Sequence, residues 1–437
     1  MTSQAQQRPG ALPSKSGRTS AEHTAPAGSP PAALVAVRRI FATETTNFFL
    51  LLGTVLFLVV FGLVMVLSSS SIESKLANDS FFTAFLKQGM YALFAIPLML
   101  IASRMPIAFW KRMARPAIVV AIGLQLLVFT PLGYGYGGNR NWIDLGFFSA
   151  QPSELVKLAL IVWIAFVMTR VTETTDWKRF MVPIGVASVA AIGFVLVGKD
   201  LGTSVIMLFI VAGCLYFAGL KLRYLLSAGV VVAILGLMFA FASSSRTSRI
   251  NVWLYGCTEA DYLGDCWQQT HGTWALAAGG IFGVGLGNSK AKWSWLPEAD
   301  NDYIFAIIGE ELGLIGAVVV LILFIVLAIA FIRIIRANTD PFARIVTSGV
   351  MIWLVGQALV NVAVVLGLLP VLGVPLPLIS AGGSALISSL LAIGVVLSFA
   401  RKPPEFAQFG APGTQTGVLT PAERSRRAAA DRVRTRS

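Results

Sequence analysis

Ten apolar runs, each about the length needed to cross a bilayer, dominate this chain and leave few folds open to it. They fall at about 47–69, 82–103, 115–134, 154–170, 181–198, 202–220, 223–243, 304–335, 343–369 and 377–399. Crossing the hydrocarbon core takes about 20 mostly apolar residues, and a soluble chain has no core large enough to bury ten such segments. Composition agrees. The chain is 56% hydrophobic and only 13% charged, against about 25% charged in an ordinary globular domain. Because backbone polar groups inside a membrane must be satisfied within each segment, the expected class is an all-α polytopic membrane protein with ten transmembrane helices. The organisation read from these runs is a polar tail over 1–46, a membrane domain over 47–400 and a basic tail over 401–437. Both tails read as disordered, and the first shows no cleavable signal peptide.

Basic residues set the expected orientation. Arg104, Lys111, Arg112 and Arg115 follow the second run, and Arg170, Lys178 and Arg179 follow the fourth. Lys221 and Arg223 follow the sixth, Arg333, Arg336 and Arg344 the eighth, and Arg401 and Lys402 the tenth. Every second connection is basic, which places both termini in the cytoplasm and turns the connections 134–153 and 244–302 outward. The 244–302 connection is then a large extracytoplasmic loop between the seventh and eighth helices. The eighth run is overlong and is expected to tilt or to project from the bilayer. Of the net charge of +13, the two tails carry +8. No aromatic-basic recognition motif accompanies them, so nucleic acid is excluded and anionic lipid or a protein partner is the expected contact.

Chemistry is expected on the outward side. Glu154 and Lys157 are three residues apart on one helix face at the membrane edge, where charges are costly unless paired or lining a wet cavity. They read either as a functional pair or as an ion pair that steadies the helix. Asp200, in the short turn between the fifth and sixth runs, is either a helix cap or a substrate contact. Arg140 and Trp142 suit a sugar or phosphate, or an interfacial anchor. Within 244–302, Arg246 and Arg249 offer guanidinium forks for pyrophosphate or lipid headgroups. The stretch from His271 to Gly287 is too short and glycine-rich to span and reads as re-entrant or interfacial. Its Gly-x-Gly spacing lacks the βαβ context of a nucleotide loop.

The acids from Glu298 to Asp302, with Glu310 and Glu311, read as a solvated edge or as a site. Asp302, directly before Tyr303-Ile304-Phe305, stands where partial burial raises a carboxyl toward a useful general base. Cys257 and Cys266 share the outward loop, where an oxidising space favours a disulfide over two free thiols. Cys214 reads as a core residue. With two histidines in the chain, a His-based triad or zinc site is not expected.

At these blocks the sequence resembles the SEDS family of bacterial cell-wall polymerases (shape, elongation, division and sporulation), in particular its division branch of actinobacterial type. The resemblance runs from about Phe48 to Arg401. It rests on Asn141-Trp142-Ile143-Asp144-Leu145-Gly146, Gln151-Pro152-Ser153-Glu154 with Lys157, and Asp200-Leu201-Gly202-Thr203. It continues through Gly283-Val284-Gly285-Leu286-Gly287, Leu296-Pro297-Glu298, Asp302-Tyr303-Ile304-Phe305 and Gly309-Glu310-Glu311-Leu312-Gly313. The last block runs from Gly367-Leu368-Leu369-Pro370 to Pro377-Leu378-Ile379-Ser380-Ala381-Gly382-Gly383-Ser384. Three positions depart from the family pattern: Asn141 stands where arginine is usual, Lys199 where proline is usual, and Tyr303 where phenylalanine is usual.

The resemblance implies a peptidoglycan glycosyltransferase that polymerises lipid II at the outer face of the cytoplasmic membrane during septal wall synthesis. It implies Asp302 as the catalytic residue, with Glu154, Lys157, Asp200, Ser380, Gly382 and Gly383 at the substrate. Arg140, Trp142 and Arg249 join them as contacts for sugar or pyrophosphate. No cofactor is obligatory, and a divalent cation is compatible with a pyrophosphate leaving group. The implied partners are a class B penicillin-binding protein and other division proteins, some of them cytoplasmic and met through the C-terminal tail. Three competing readings remain at this stage: a lipid II transporter using intramembrane charge, an elongation-type member of the same family, and a non-enzymatic division scaffold.

Overall fold

The computed structural model describes residues 45–76, 80–136, 139–144, 146, 149–171, 177–241, 244–259, 262–264, 266–293 and 295–401. The readings made for the two tails fall almost wholly outside the described residues.

The apolar runs form helices, as their composition requires. In order these are α1 (Thr46–Leu76), α2 (Thr83–Ala102), α3 (Ile107–Leu127), α4 (Pro152–Met168), α5 (Trp177–Val197), α6 (Leu201–Phe217) and α7 (Leu222–Phe241). They are followed by α8 (Ser244–Tyr255), α9 (Trp267–Gly279), α10 (Ile304–Ala337), α11 (Pro341–Met351), α12 (Gln357–Val365) and α13 (Gly383–Phe399). Among the described residues, five helical segments are long and apolar enough to cross a membrane: Thr46–Ser71, Thr83–Ala102, Lys178–Val197, Ile304–Ala337 and Pro341–Val365. Leu201–Phe217, Leu222–Val231 and Gly383–Phe399 are shorter apolar helices. The chain is therefore a mostly helical, multi-pass membrane protein.

α4 is the centre of the bundle. Nearly every side chain from Pro152 to Val167 is buried, because α3, α5, α6, α11 and α13 all pack against it. A helix apolar on all faces is stable only when surrounded. Around this centre, α13 packs on α2 and α10 packs on α1 and α9.

Several boundaries differ from the sequence expectation, each for a local reason. The third run, expected over 115–134, is helical from Ile107 to Leu127. Pro106, in an extended conformation, starts it, so Lys111, Arg112 and Arg115 lie on the helix and not in a loop. Its expected last residues form a turn and a strand. The tenth run, expected over 377–399, is helical only over Gly383–Phe399. Pro375 and Pro377 have no N–H to give a helix, and the chain before Gly383 makes turns that build the site. The ninth run is interrupted by a π-turn, Ile352–Gly356, between α11 and α12.

The connections carry structure of their own. The 134–153 connection holds a small antiparallel sheet, β1 (Gly133–Tyr136), β2 (Asn139–Asp144) and β3 (Ser149–Ala150), ordered β1-β2-β3. Trp142 pairs with Tyr134 and Ile143 with both Gly133 and Ala150, with an irregularity between Tyr134 and Gly135. The 244–302 connection contains α8 and α9.

α10 is broken at Gly313, whose backbone is at φ 69°, ψ −166°. The break frees carbonyls that the glycine-rich segment after α9 takes up. Val284 N–H donates to Glu310 O and Gly285 N–H to Glu311 O, both at 3.0 Å. Leu314 N–H returns a bond to Gly280 O at 2.9 Å. These bonds satisfy the polar groups of the non-helical backbone within the protein, while the side chains of Ile281, Phe282 and Leu286 stay exposed.

Candidate active site

Asp302 sits on a tight turn held from several directions. Glu298 adopts left-handed backbone (φ 56°), and its carbonyl accepts from Asn301 N–H and Tyr303 N–H, both at 3.1 Å. The segment before α13 clamps the turn. Ser380 Oγ accepts from Leu376 N–H at 2.8 Å and donates to the Asn301 carbonyl at 2.7 Å, while Ala381 N–H donates to the Asp300 carbonyl at 2.8 Å. Gln88 of α2 steadies this clamp, donating to Ser380 O and accepting from Gly382 N–H, each at 3.2 Å. Gly383 is dictated by space, since a Cβ there would lie 2.3 Å from the Tyr91 ring. From α12, Asn361 Nδ2 donates to the Asp302 carbonyl at 2.7 Å.

The turn fixes the Asp302 backbone and leaves its carboxyl for chemistry. Oδ1 is buried with no hydrogen-bond partner among the described residues. Burial pushes the carboxyl up to about 7, helped by the charges of Glu298, Asp200 and Asp300 and opposed by Arg249. A general base titrating near neutrality is well matched to its task. Beside it, Tyr303 is packed against Gly272, where a Cβ would come 2.5 Å from the ring, and its hydroxyl donates to Gln269 Oε1 at 3.0 Å. Burial, then the Asp302 charge, push the Tyr303 phenol up, so it stays protonated.

Asp200 is both a cap and a hub. Its Oδ1 accepts from Thr203 N–H at 2.9 Å at the start of α6. Its Oδ2 accepts from Asn141 Nδ2 and Gln151 Nε2, each at 3.1 Å. Arg140 N–H donates to Gly198 O at 2.9 Å, so β2 is docked directly on the α5–α6 turn. Burial raises the Asp200 carboxyl above its ordinary range, against the lowering effect of the Thr203 bonds and Lys157. Asn141, the departure from the family's arginine, has a role here that a guanidinium could not share unchanged, because it reaches Asp200 from a buried position.

Glu154 and Lys157, in the first turns of α4, form a buried ion pair at 2.8 Å with side chains 3% and 1% exposed. Lys157 Nζ also donates to Gln357 Oε1 at 3.0 Å and lies 4.8 Å from the centre of the Trp353 ring. The π-turn brings both partners into place. Trp353 Nε1 donates to the same Gln357 oxygen at 3.1 Å, and Gln357 Nε2 donates to the Pro375 carbonyl at 2.9 Å. One residue earlier, Val374 O accepts from Asn361 Nδ2 at 2.7 Å. Gln357 and Asn361, four apart on α12, therefore link the charge pair to the Asp302 turn through adjacent carbonyls. Neither residue stood out in the sequence, although two amides at helical spacing inside an apolar run are a signal of buried function.

The remaining expected site residues lie around this centre or away from it. The Arg140 guanidinium donates to the carbonyls of Thr130 (2.9 Å) and Gly133 (3.2 Å), pinning β1 to α3's end. Trp142 is half-buried in the centre of the sheet. Arg249, on α8, is close enough for its charge to be felt at Asp302. Cys257 and Cys266 are joined as a disulfide, Cα–Cα 5.9 Å, between α8 and α9. Glu310 and Glu311 are not a solvated edge, being 2% and 0% exposed. Glu310 accepts from Ser289 Oγ and from Lys290 N–H. Glu311 pairs with Lys292 at 3.2 Å and accepts from Ser68 of α1. They lock the glycine segment onto the break in α10. Among the described residues no group of three His, Cys, Asp or Glu side chains is arranged to hold a metal.

Fold and site together define a multi-pass helical membrane protein that gathers carboxylates and amides at connected helix ends around one partly buried aspartate. The model of the family described as "Cell cycle protein" (FtsW, RodA, SpoVE) matches residues 48–404, and the chain belongs to that family. A protein of Mycobacterium tuberculosis named probable peptidoglycan glycosyltransferase FtsW is 38% identical over 362 residues, covering 82% of this chain and 69% of the relative. The stage V sporulation protein E of Bacillus subtilis is 34% identical over 365 residues, covering 82% and 98%. Among solved structures, a chain from work on coordination of polymerization and crosslinking by a peptidoglycan synthase complex is 25% identical, with a TM-score of 0.66 over 80% of this chain and 96% of that one. The rod shape determining protein RodA of Thermus thermophilus shares the fold, with a TM-score of 0.60 over the same shares of the two chains.

Proposed function

We propose that this protein is a peptidoglycan glycosyltransferase of the division type, polymerising lipid II into β-1,4 glycan strands with Asp302 as general base. The observation that carries the reading is the Asp302 carboxyl itself. It is held on a clamped turn, has an unpartnered buried oxygen, and is raised to about 7 chiefly by burial. The division assignment follows the relatives at 36–38% identity that are named FtsW.

In this mechanism the acceptor sugar hydroxyl gives its proton to Asp302 as its oxygen attacks the donor's anomeric carbon. The bond from that carbon to the polyprenyl pyrophosphate breaks, and the pyrophosphate leaves with the electron pair. One base on the attacking side and no covalent intermediate give inversion. Arg249, whose charge is felt at Asp302, is assigned to the pyrophosphate leaving group.

In the same reading the chain crosses the cytoplasmic membrane ten times with both termini inside, its site faces outward, and it acts at the septum. A class B penicillin-binding protein crosslinks the strands, and other division proteins, some of them cytoplasmic, meet the chain, the cytoplasmic ones through the C-terminal tail. The test is polymerisation of lipid II by purified protein, with and without a co-purified class B partner. Wild type is expected to make strands and Asp302→Ala to make none; full activity in Asp302→Ala would overturn the assignment.

A further inference from the structure

Among the described residues, Asp302 Oδ1 is one of three unpartnered buried polar atoms around the same turn. The others are Asn361 Oδ1 and Gln269 Nε2. Their orientation follows from what their side chains already do. Asn361 faces two carbonyl oxygens, Asp302 O and Val374 O, each 2.7 Å from its nitrogen. Only the NH2 end of the amide satisfies both, so the oxygen is forced to the opposite side. Gln269 accepts the Tyr303 hydroxyl through Oε1, which leaves its NH2 as a donor. Asn361 is 1% exposed, and an unmatched amide at such a position carries a desolvation cost that a native fold rarely keeps without use.

The backbone facing these groups is kept bare. Gly367 and Gly373 are at φ 75° and φ 66°. A Cβ on Gly367 would lie 3.2 Å from Gln269 Nε2, and one on Gly373 would lie 3.4 Å from Asp302 Oδ2. Two glycines in left-handed conformation thus border the two sides of the site.

We propose that Asn361 and Gln269 form a subsite for the acetamido group of the acceptor amino sugar. The complement is one acceptor and one donor, which is what a secondary amide requires. Asn361 Oδ1 accepts the acetamido N–H, and Gln269 Nε2 donates to its carbonyl oxygen. The same sugar then offers its hydroxyl to Asp302 Oδ1. This inference rests on the reading of the chain as a lipid II polymerase and names the group that polymerase recognises. A site built to hydrogen-bond a substrate group rejects analogues that lack it, because its own buried atoms are then left unpaired.

The experiment uses the full chain with its class B partner and compares lipid II with lipid II whose acetamido groups are replaced by free amines. Wild type is expected to use the analogue at least about 10-fold less well in kcat/KM. Asn361→Ala and Gln269→Ala are expected to lose activity on lipid II but much less on the analogue, bringing the ratio to within about 3-fold of unity. Gln269 does not brace the Asp302 carbonyl, so it serves where Asn361→Ala fails to fold. An unchanged ratio in Gln269→Ala and in any folded Asn361→Ala overturns the subsite, as does a wild type that does not discriminate. A wild type that makes no strands from lipid II removes the polymerase reading itself, a different and recognisable failure.

Discussion

Lys157 Nζ stands 2.8 Å from Glu154 Oε1 with neither side chain reaching solvent, and the pair is braced through Gln357 to the Pro375 carbonyl. Removing one member of a buried pair strands the other's charge, at a cost of about 3–5 kcal/mol, whereas replacing both by neutral groups of similar shape is often near neutral. Lys157→Met is therefore expected to lower thermal stability in detergent sharply. Glu154→Gln with Lys157→Met is expected to regain most of it without regaining polymerisation, because the brace to Gln357 is lost. Recovery of both stability and activity in the double variant would make the pair a packing element only.

The break in α10 makes a second, purely structural prediction. Gly283 and Gly280 both have left-handed backbone, at φ 81° and φ 53°. A Cβ on Gly283 would fall 2.2 Å from Glu311 O, whereas one on Gly280 meets nothing within 4 Å. Gly280, at ψ −139°, lies in sparsely populated backbone, so Gly280→Ala is expected to cost only that conformational penalty, about 1–3 kcal/mol. Gly283→Ala adds displacement of the Glu311 carbonyl and is expected to lower the unfolding midpoint by clearly more. Equal midpoints for the two variants would show that the glycine segment is not held against the break.

These two regions also show what was legible in the sequence. Apolar runs announced the helices because hydrocarbon leaves the backbone no other partner than itself. They did not announce helix ends. Lys111, Arg112 and Arg115 read as a loop, yet a helix begun at Pro106 carries them. Asp302 was legible from its position before an apolar run, and Glu154 with Lys157 from their spacing. The partners that give these groups their chemistry were not. Asn361, Gln357 and Gln269 come from other helices and meet the site only through tertiary contact, and Asn141 looked like a departure from pattern before its bond to Asp200 was seen. For Glu310 and Glu311 the sequence leaves a solvated edge and a site both open, because burial between α1 and a glycine turn leaves no mark on local composition.

Asp200 separates capping from docking. Its Oδ1 caps α6, while Oδ2 takes the amides of Asn141 and Gln151. Asp200→Asn keeps an oxygen for the Thr203 N–H but turns a donor toward two donors. Asp200→Ala removes all three bonds, and losing a cap costs about 0.5–2 kcal/mol by itself. Asn is expected to fall between wild type and Ala in stability, while both variants loosen the small sheet, read as faster hydrogen exchange at Arg140. Unchanged exchange at Arg140 in both would show that the sheet docks without Asp200.

The Asp302 carboxyl, at about 7, sets the pH dependence. As a base it works ionised, so kcat/KM is expected to be level above pH 7 and to fall about tenfold per unit below it. The neighbouring charges move that limb in opposite directions. Arg249 favours the ionised form, so Arg249→Met shifts the limb to higher pH. Glu298 opposes it, and Glu298→Gln shifts the limb lower. For stability the sign is reversed. The folded-state value lies above the unfolded one of about 3.9, so Asp302 favours the fold most below that pH and progressively less as pH rises toward 7. Asp302→Asn is expected to abolish activity while removing this loss of stability, measured as unfolding midpoints between pH 4 and pH 8. A limb that does not move in either charge variant, with stability of Asp302→Asn parallel to wild type across that range, would place the titrating base elsewhere.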